Sequence, residues 1–89
     1  MEGETMKKYL TGIESPRGVY VHIAFYADTP AKNYRIYYCG VDTGQHYEKI
    51  GNAARRLRRY AEDWKKYGGG IATETYSTMD ALPRRGSNA

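Results

Sequence analysis

At 89 residues, with 14 Lys or Arg against 10 Asp or Glu and a net charge of +4, the chain reads as one small domain that must build a compact core. Its one cysteine, Cys39, excludes an intramolecular disulfide, its two histidines stand too far apart for a zinc pattern, and no apolar run approaches a membrane span. The opening Met1-Glu2-Gly3-Glu4 does not read as a signal peptide, so the expected compartment is cytoplasmic.

Tyrosine occurs ten times, whereas Phe and Trp occur once each. Much of the packing must therefore use rings whose bodies pack while their hydroxyl tips reach solvent or ligand. The charge is concentrated. Between Tyr47 and Tyr67 stand seven Lys or Arg and three acids, which accounts for the whole excess of +4. Such a field on one segment suits a polyanion, DNA first and RNA second.

Residues 1–16 are polar, with a weak apolar signal at Tyr9, Leu10 and Ile13, and are expected to form a loose N-terminal arm with at most a short edge strand. Gly18 to Tyr26 alternates with period two, placing Val19, Val21, Ile23 and Phe25 on one face and Tyr20, His22, Ala24 and Tyr26 on the other. Asp28 to Asn33 carries turn residues, and Tyr34 to Gly40 reads as the returning strand of a hairpin. Asp42-Thr43-Gly44 reads as a second turn. From about Tyr47 the period becomes helical, with Ile50, Ala53, Leu57, Tyr60, Ala61 and Trp64 on one stripe. Arg55, Arg59, Glu62 and Lys66 point away from it. Arg56 stands about 90° from the stripe centre, where it can reach the edge of a sheet. Gly68-Gly69-Gly70 stops the helix, Ile71 to Thr78 reads as a third strand, and residues 83–89 are expected to be a disordered tail. The expected fold class is α+β: a small antiparallel three-stranded sheet packed by one amphipathic helix, occupying residues 17–82.

Gly18-Val19-Tyr20, then Tyr38-Cys39-Gly40, then Arg56-Leu57 on a helix is an ordered set that resembles the GIY-YIG nuclease superfamily. In the first motif Val stands for Ile, and in the second Cys takes the middle position. Arg55 is the fallback for Arg56. The third strand and the small Ser77 to Leu82 stretch resemble the family's next elements. The resemblance implies in-line attack of water on phosphorus, with charge developing on phosphate oxygens. Tyr38 or Tyr20 would orient the nucleophile, since a phenol with an ordinary pKa of about 10 is neutral at pH 7. Arg56 would stabilise the phosphate through its planar fork of donors, and Mg²⁺ would sit on one carboxylate plus waters and phosphate oxygens. Arg55, Arg59, Lys65, Lys66 and His46 would contact the backbone. The family's metal-binding Glu has no counterpart: alignment puts Arg85 at its place, and an arginine cannot ligate magnesium. Glu74 is the nearest substitute. The resemblance therefore leaves an inactivated relative that binds without cutting, a relocated carboxylate, and an unrelated domain as readings.

The same residues also have structural readings. Strand tyrosines pack across strands, helix arginines form solvated faces, Glu62 and Asp63 are spaced to pair with Arg58 and Arg59, His22 suits a half-buried strand position, and Cys39 suits a small apolar one. Two other functions compete. A small phage-type inhibitor or accessory protein would use a Tyr- and Arg-rich interface with a protein partner. A sheet-type DNA reader would instead face the duplex with Arg35, Tyr37 and Lys32.

Overall fold

The computed structural model describes residues 7–85. Its strands are β1 (Tyr9–Glu14), β2 (Tyr20–Tyr26), β3 (Tyr34–Tyr38) and β4 (Val41–Tyr47), followed by helix α1 (Ile50–Lys66), β5 (Thr73–Ser77), a 3₁₀ turn at Met79–Ala81, and β6 (Arg84–Arg85). The sheet order is β4-β3-β2-β1-β5, with β6 added beside β2. Neighbours along the main path are antiparallel, and β6 is parallel to β2.

The architecture is α+β with one helix, as expected, but the sheet is wider than the expected three strands for three local reasons. First, the segment expected to be a loose arm supplies β1, which lies between β2 and β5. A register shift between Leu10 and Gly12 lets both Leu10 and Ile13 reach the core, fully buried. That bulge breaks the period-two pattern and hid the strand. Second, the turn after β3 is Cys39-Gly40, not Asp42-Thr43-Gly44. Both residues have positive φ, 50° and 83°, which is the type I′ geometry of a two-residue hairpin, and Tyr38 pairs directly with Val41. Cysteine is an uncommon residue for a left-handed position, so the turn left no ordinary signature. Third, the start of the expected tail is bound: Phe25 N–H donates to the Pro83 carbonyl at 2.9 Å and Ala27 N–H to that of Arg85 at 3.2 Å. The third expected strand survives in shortened form as β5. Residues 1–6 and 86–89, the rest of the expected arm and tail, lie outside the described residues.

One face of the sheet carries α1. Leu10, Ile13, Val21, Ile23 and Ile36 from the strands meet Ile50, Ala53, Ala54 and Leu57 from the helix, and Leu82 closes the cluster. Burying each of the larger aliphatic side chains is worth about 1.5–3 kcal/mol. Tyr60, Ala61 and Trp64 pack at its margin, so the helical stripe is as the sequence predicts. The helix ends where Gly68 takes φ 88° and the Gly69 amide donates back to the Trp64 carbonyl at 2.6 Å, a left-handed glycine cap. Among the described residues no helix is long and apolar enough to cross a membrane.

Candidate functional site

The two tyrosine tripeptides are neighbours. Ser15 forms the turn between β1 and β2, its hydroxyl accepting from Val19 N–H at 3.1 Å, and this delivers Tyr20 to the start of β2. There the Tyr20 carbonyl accepts from the Cys39 amide at 2.8 Å. The adjacent register pairs Val21 with Tyr38 and His22 with Tyr37. Directly paired residues share a face, and consecutive residues alternate. Tyr38 therefore falls with Val21 on the helix-covered face, and Tyr20 falls with His22 and Tyr37 on the other. The candidate residues Tyr20, Tyr38 and Arg56 do not converge on one cleft.

Tyr38 and Arg56 are linked. The Tyr38 ring packs against Tyr60 at 5.7 Å between centroids, and the Arg56 guanidinium lies over the same Tyr60 ring at 5.3 Å. Gln45 joins them: its amide satisfies both neighbours when its oxygen accepts from Arg56 Nη2 and Nε at 2.8 and 3.0 Å and its nitrogen donates to the Tyr60 hydroxyl at 2.9 Å. A β3–β4 register shift between Arg35 and Tyr37 places Gln45 there, with Thr43 Oγ1 donating to the Ile36 carbonyl at 2.9 Å. Arg56 is thus held by one amide oxygen that accepts from two of its N–H groups and by a ring face, so the entropic cost of positioning its fork is met by folding.

Arg55, Arg56 and Arg59 surround a cavity of about 310 Å³ together with Tyr47 and Asn52. Arg55 Nη1 donates to Asn52 Oδ1 at 3.2 Å. The nearby start of α1 has Lys49 at its N-cap, no side-chain cap and no acid in its first turn, so the positive end of the helix dipole adds to the guanidinium field. Lys65 and Lys66 lie in the last turn, about 15 Å along the axis from Arg56 at 1.5 Å per residue. Lys65 lines a different cavity with Arg58, Glu62 and Glu74, and Lys66 Nζ stands over Tyr67 at 5.3 Å.

The helix-free face carries a row of stacked rings. Tyr20 and His22 are 5.1 Å apart, His22 and Tyr37 5.5 Å, and Tyr37 and Tyr26 6.4 Å, with interplanar angles of 19°, 20° and 11°. The Arg35 guanidinium caps the row 3.8 Å from the Tyr26 ring centre and pairs with Asp42 at 3.5 Å. His46 Nε2 meets the same carboxylate at 3.1 Å. His46 therefore belongs to this face and not to the arginine cavity. The Tyr26 and Tyr37 hydroxyls are hydrogen-bonded; burial first, then this bond, pushes the Tyr37 phenol up to about 12. Burial raises the Asp42 carboxyl, but the Gly44 amide, His46 and Arg35 outweigh it and hold it below the ordinary carboxylate value. Burial, then the Arg85 charge, lowers the His22 pKa.

The Arg35–Tyr37 pair of the sheet-reader alternative is thus committed internally: Tyr37 is only 6% exposed, and Arg35 is held between a ring and a carboxylate.

Glu74 sits on β5, exposed, accepting from the Tyr76 hydroxyl at 3.1 Å. Its cavity also holds Arg58 and Lys65, cations that compete for the carboxylate. The lining of the arginine cavity includes no carboxylate, and among the described residues no group of three or more His, Cys, Asp or Glu is placed to hold a metal ion. The donor set beside Arg56 therefore does not fit magnesium. Arg85, which the resemblance set against the family's Glu, lies over Tyr37 at 4.6 Å on the helix-free face.

Gln45, Tyr47, Asn52 and Tyr60 are the site residues that sequence reasoning missed. Tyr60 was legible only as a core stripe position, and Gln45 depends on a bulge that period counting does not reveal. The chain matches no protein-family model, no curated protein and no solved structure.

Proposed function

We propose that this is a nucleic-acid-binding domain of GIY-YIG-like type that grips the phosphodiester backbone, DNA first, with the arginine face of α1, and that it does not cut. The observation carrying this reading is the gathering of Arg55, Arg56 and Arg59 around one cavity of about 310 Å³, with Arg56 preset by Gln45 and Tyr60. Planar guanidiniums suit phosphate oxygens because each can donate two parallel hydrogen bonds. The concentration of the chain's net charge between Tyr47 and Tyr67 supplies the long-range attraction.

Gripping is favoured over cutting on two grounds. Tyr20 projects from the face opposite Tyr38, so the two phenols cannot flank one phosphorus. No carboxylate lines the cavity beside Arg56. The test is fluorescence anisotropy with a labelled duplex across a salt series. The reading expects affinity to fall log-linearly with salt at a slope of about −0.9 per phosphate contact. Binding that does not change between low and high salt overturns it.

A further inference from the structure

A larger cavity, of about 540 Å³, adjoins the arginine cavity and shares Asn52 and Arg55 with it. Its charged lining is Lys7, Lys49 and Arg55 against Glu48, a net of 3 − 1 = +2. Among the described residues none of the three cations pairs with a carboxylate. Lys7 Nζ stands over the Tyr9 ring at 5.4 Å, and Arg55 Nη1 donates to the neutral Asn52 amide. The first turn of α1 borders the same cavity and has no acid of its own. The lining thus calls for an anion that the described residues do not supply.

The sequence places one at the rim. Lys7 is the first described residue, and the six before it, Met1-Glu2-Gly3-Glu4-Thr5-Met6, hold two acids and no base. Their charge of −2 matches the +2 of the lining. A chain advances at most about 3.6 Å per residue, so Glu4 lies within about 11 Å of Lys7 and Glu2 within about 18 Å. Lys49 and Arg55, six residues apart on one helix, are separated by about 9 Å along its axis. Both carboxylates therefore have the reach to meet them. A single exposed ion pair is weak, so a dilute small anion would not be held here. A tethered one is, because linkage sets its effective concentration at about the mM level.

We infer that Glu2 and Glu4 seat against Lys7, Lys49 and Arg55 and act as a built-in competitor for the phosphates gripped by the arginine cavity. Arg55 lines both cavities, so its guanidinium is contested between a carboxylate of its own chain and a phosphate. The competition rests on the nucleic-acid reading; the contact itself does not.

The experiment has two arms, each comparing the wild type with Glu2→Gln/Glu4→Gln and with a charge-matched control, Glu14→Gln/Glu74→Gln. Both control residues are exposed, Glu14 stands five residues along β1 from Tyr9, about 17 Å, and Glu74 lies beside it opposite Ile13. In the first arm, amide NMR at low salt should show the Gly51, Asn52 and Arg55 signals displaced in Glu2→Gln/Glu4→Gln and in place in the control. The displacement should vanish in 0.5 M salt, where the Debye length is only about 4 Å. Signals unmoved by the Glu2 and Glu4 substitutions, or moved equally by the control, overturn the contact. In the second arm, duplex anisotropy at low salt should show Glu2→Gln/Glu4→Gln binding roughly 2- to 30-fold more tightly than the wild type, the range for two exposed ion pairs, with the control gaining less. An equal gain in both variants overturns the competition. Displaced signals with no duplex binding by any of the three proteins overturn the nucleic-acid reading, and the competition with it, while the contact stands.

Discussion

Tyr20 and Tyr38 stand at the paired ends of adjacent strands, joined through the Cys39 amide and the Tyr20 carbonyl at 2.8 Å, and project to opposite faces of the sheet. One serves the Arg56 side and the other the ring row. A one-residue offset in a β-pairing moves a side chain to the other face, so the tripeptides can be neighbours without sharing a site.

The first expectation concerns cutting. Supercoiled plasmid incubated with the protein and Mg²⁺ should remain unnicked beyond a protein-free control. Nicking that disappears in Arg56→Ala would contradict a face that grips without cutting.

Gln45 should act by positioning. Gln45→Ala removes the acceptor that holds the Arg56 fork, a loss on the order of 1 kcal/mol, or about fivefold in duplex affinity. Because no charge is lost, the salt slope should stay at the wild-type value. A slope that falls with the affinity would mean that Gln45 affects the number of phosphate contacts.

The Cys39-Gly40 turn makes a stability prediction. Cys39 is exposed and holds φ 50°, where a non-glycine, non-Asx residue costs about 1–2 kcal/mol. Asparagine suits this position of a type I′ turn, so Cys39→Asn should raise the unfolding free energy by about 0.5 kcal/mol in a urea titration, with nucleic-acid affinity retained. Gly40→Ala should lower it by about 1 kcal/mol. Loss of binding in a well-folded Cys39→Asn variant would give the tripeptide a role beyond the turn.

His22 should make stability depend on pH. Burial and Arg85 lower its folded pKa below the ordinary 6.5, so in the window just under 6.5 the unfolded chain holds the proton more tightly. Stability is then full above 6.5 and falls as pH is lowered into that window, by no more than about 1.4 kcal/mol per pH unit for one proton. Asp42, whose pKa is also lowered, contributes stability that is lost only as pH falls through the carboxylate range. Urea titrations at pH 7.5 and 5.5 should separate the two states, and His22→Gln should flatten the difference. Equal stability of the wild type at both values contradicts the assignment.

The sequence made the helix, its core stripe and the flank position of Arg56 legible because helical period survives one-dimensional reading. It also made the β2–β3 hairpin legible through alternation. What it concealed was carried by irregular backbone. β1 was hidden by the bulge before Gly12, β4 by a turn built on cysteine, and Gln45 by the register shift that turns it toward Arg56. The separation of Tyr20 from Tyr38 comes from strand register, which hydrophobic pattern alone leaves open when both faces carry tyrosine. His46 went to the other face for the same reason.

The most direct measurement is the salt dependence of duplex affinity for the wild type and for Arg55→Ala, Arg56→Ala and Arg59→Ala, each checked for folding by its urea transition. If these guanidiniums grip phosphates together, each substitution lowers the magnitude of the log–log slope by about 0.9, whereas Arg58→Ala, whose side chain lines the cavity with Glu74 instead, leaves it nearly unchanged. Four equal slopes, or a wild type that shows no salt-dependent binding, would contradict the arginine cavity as the seat of function.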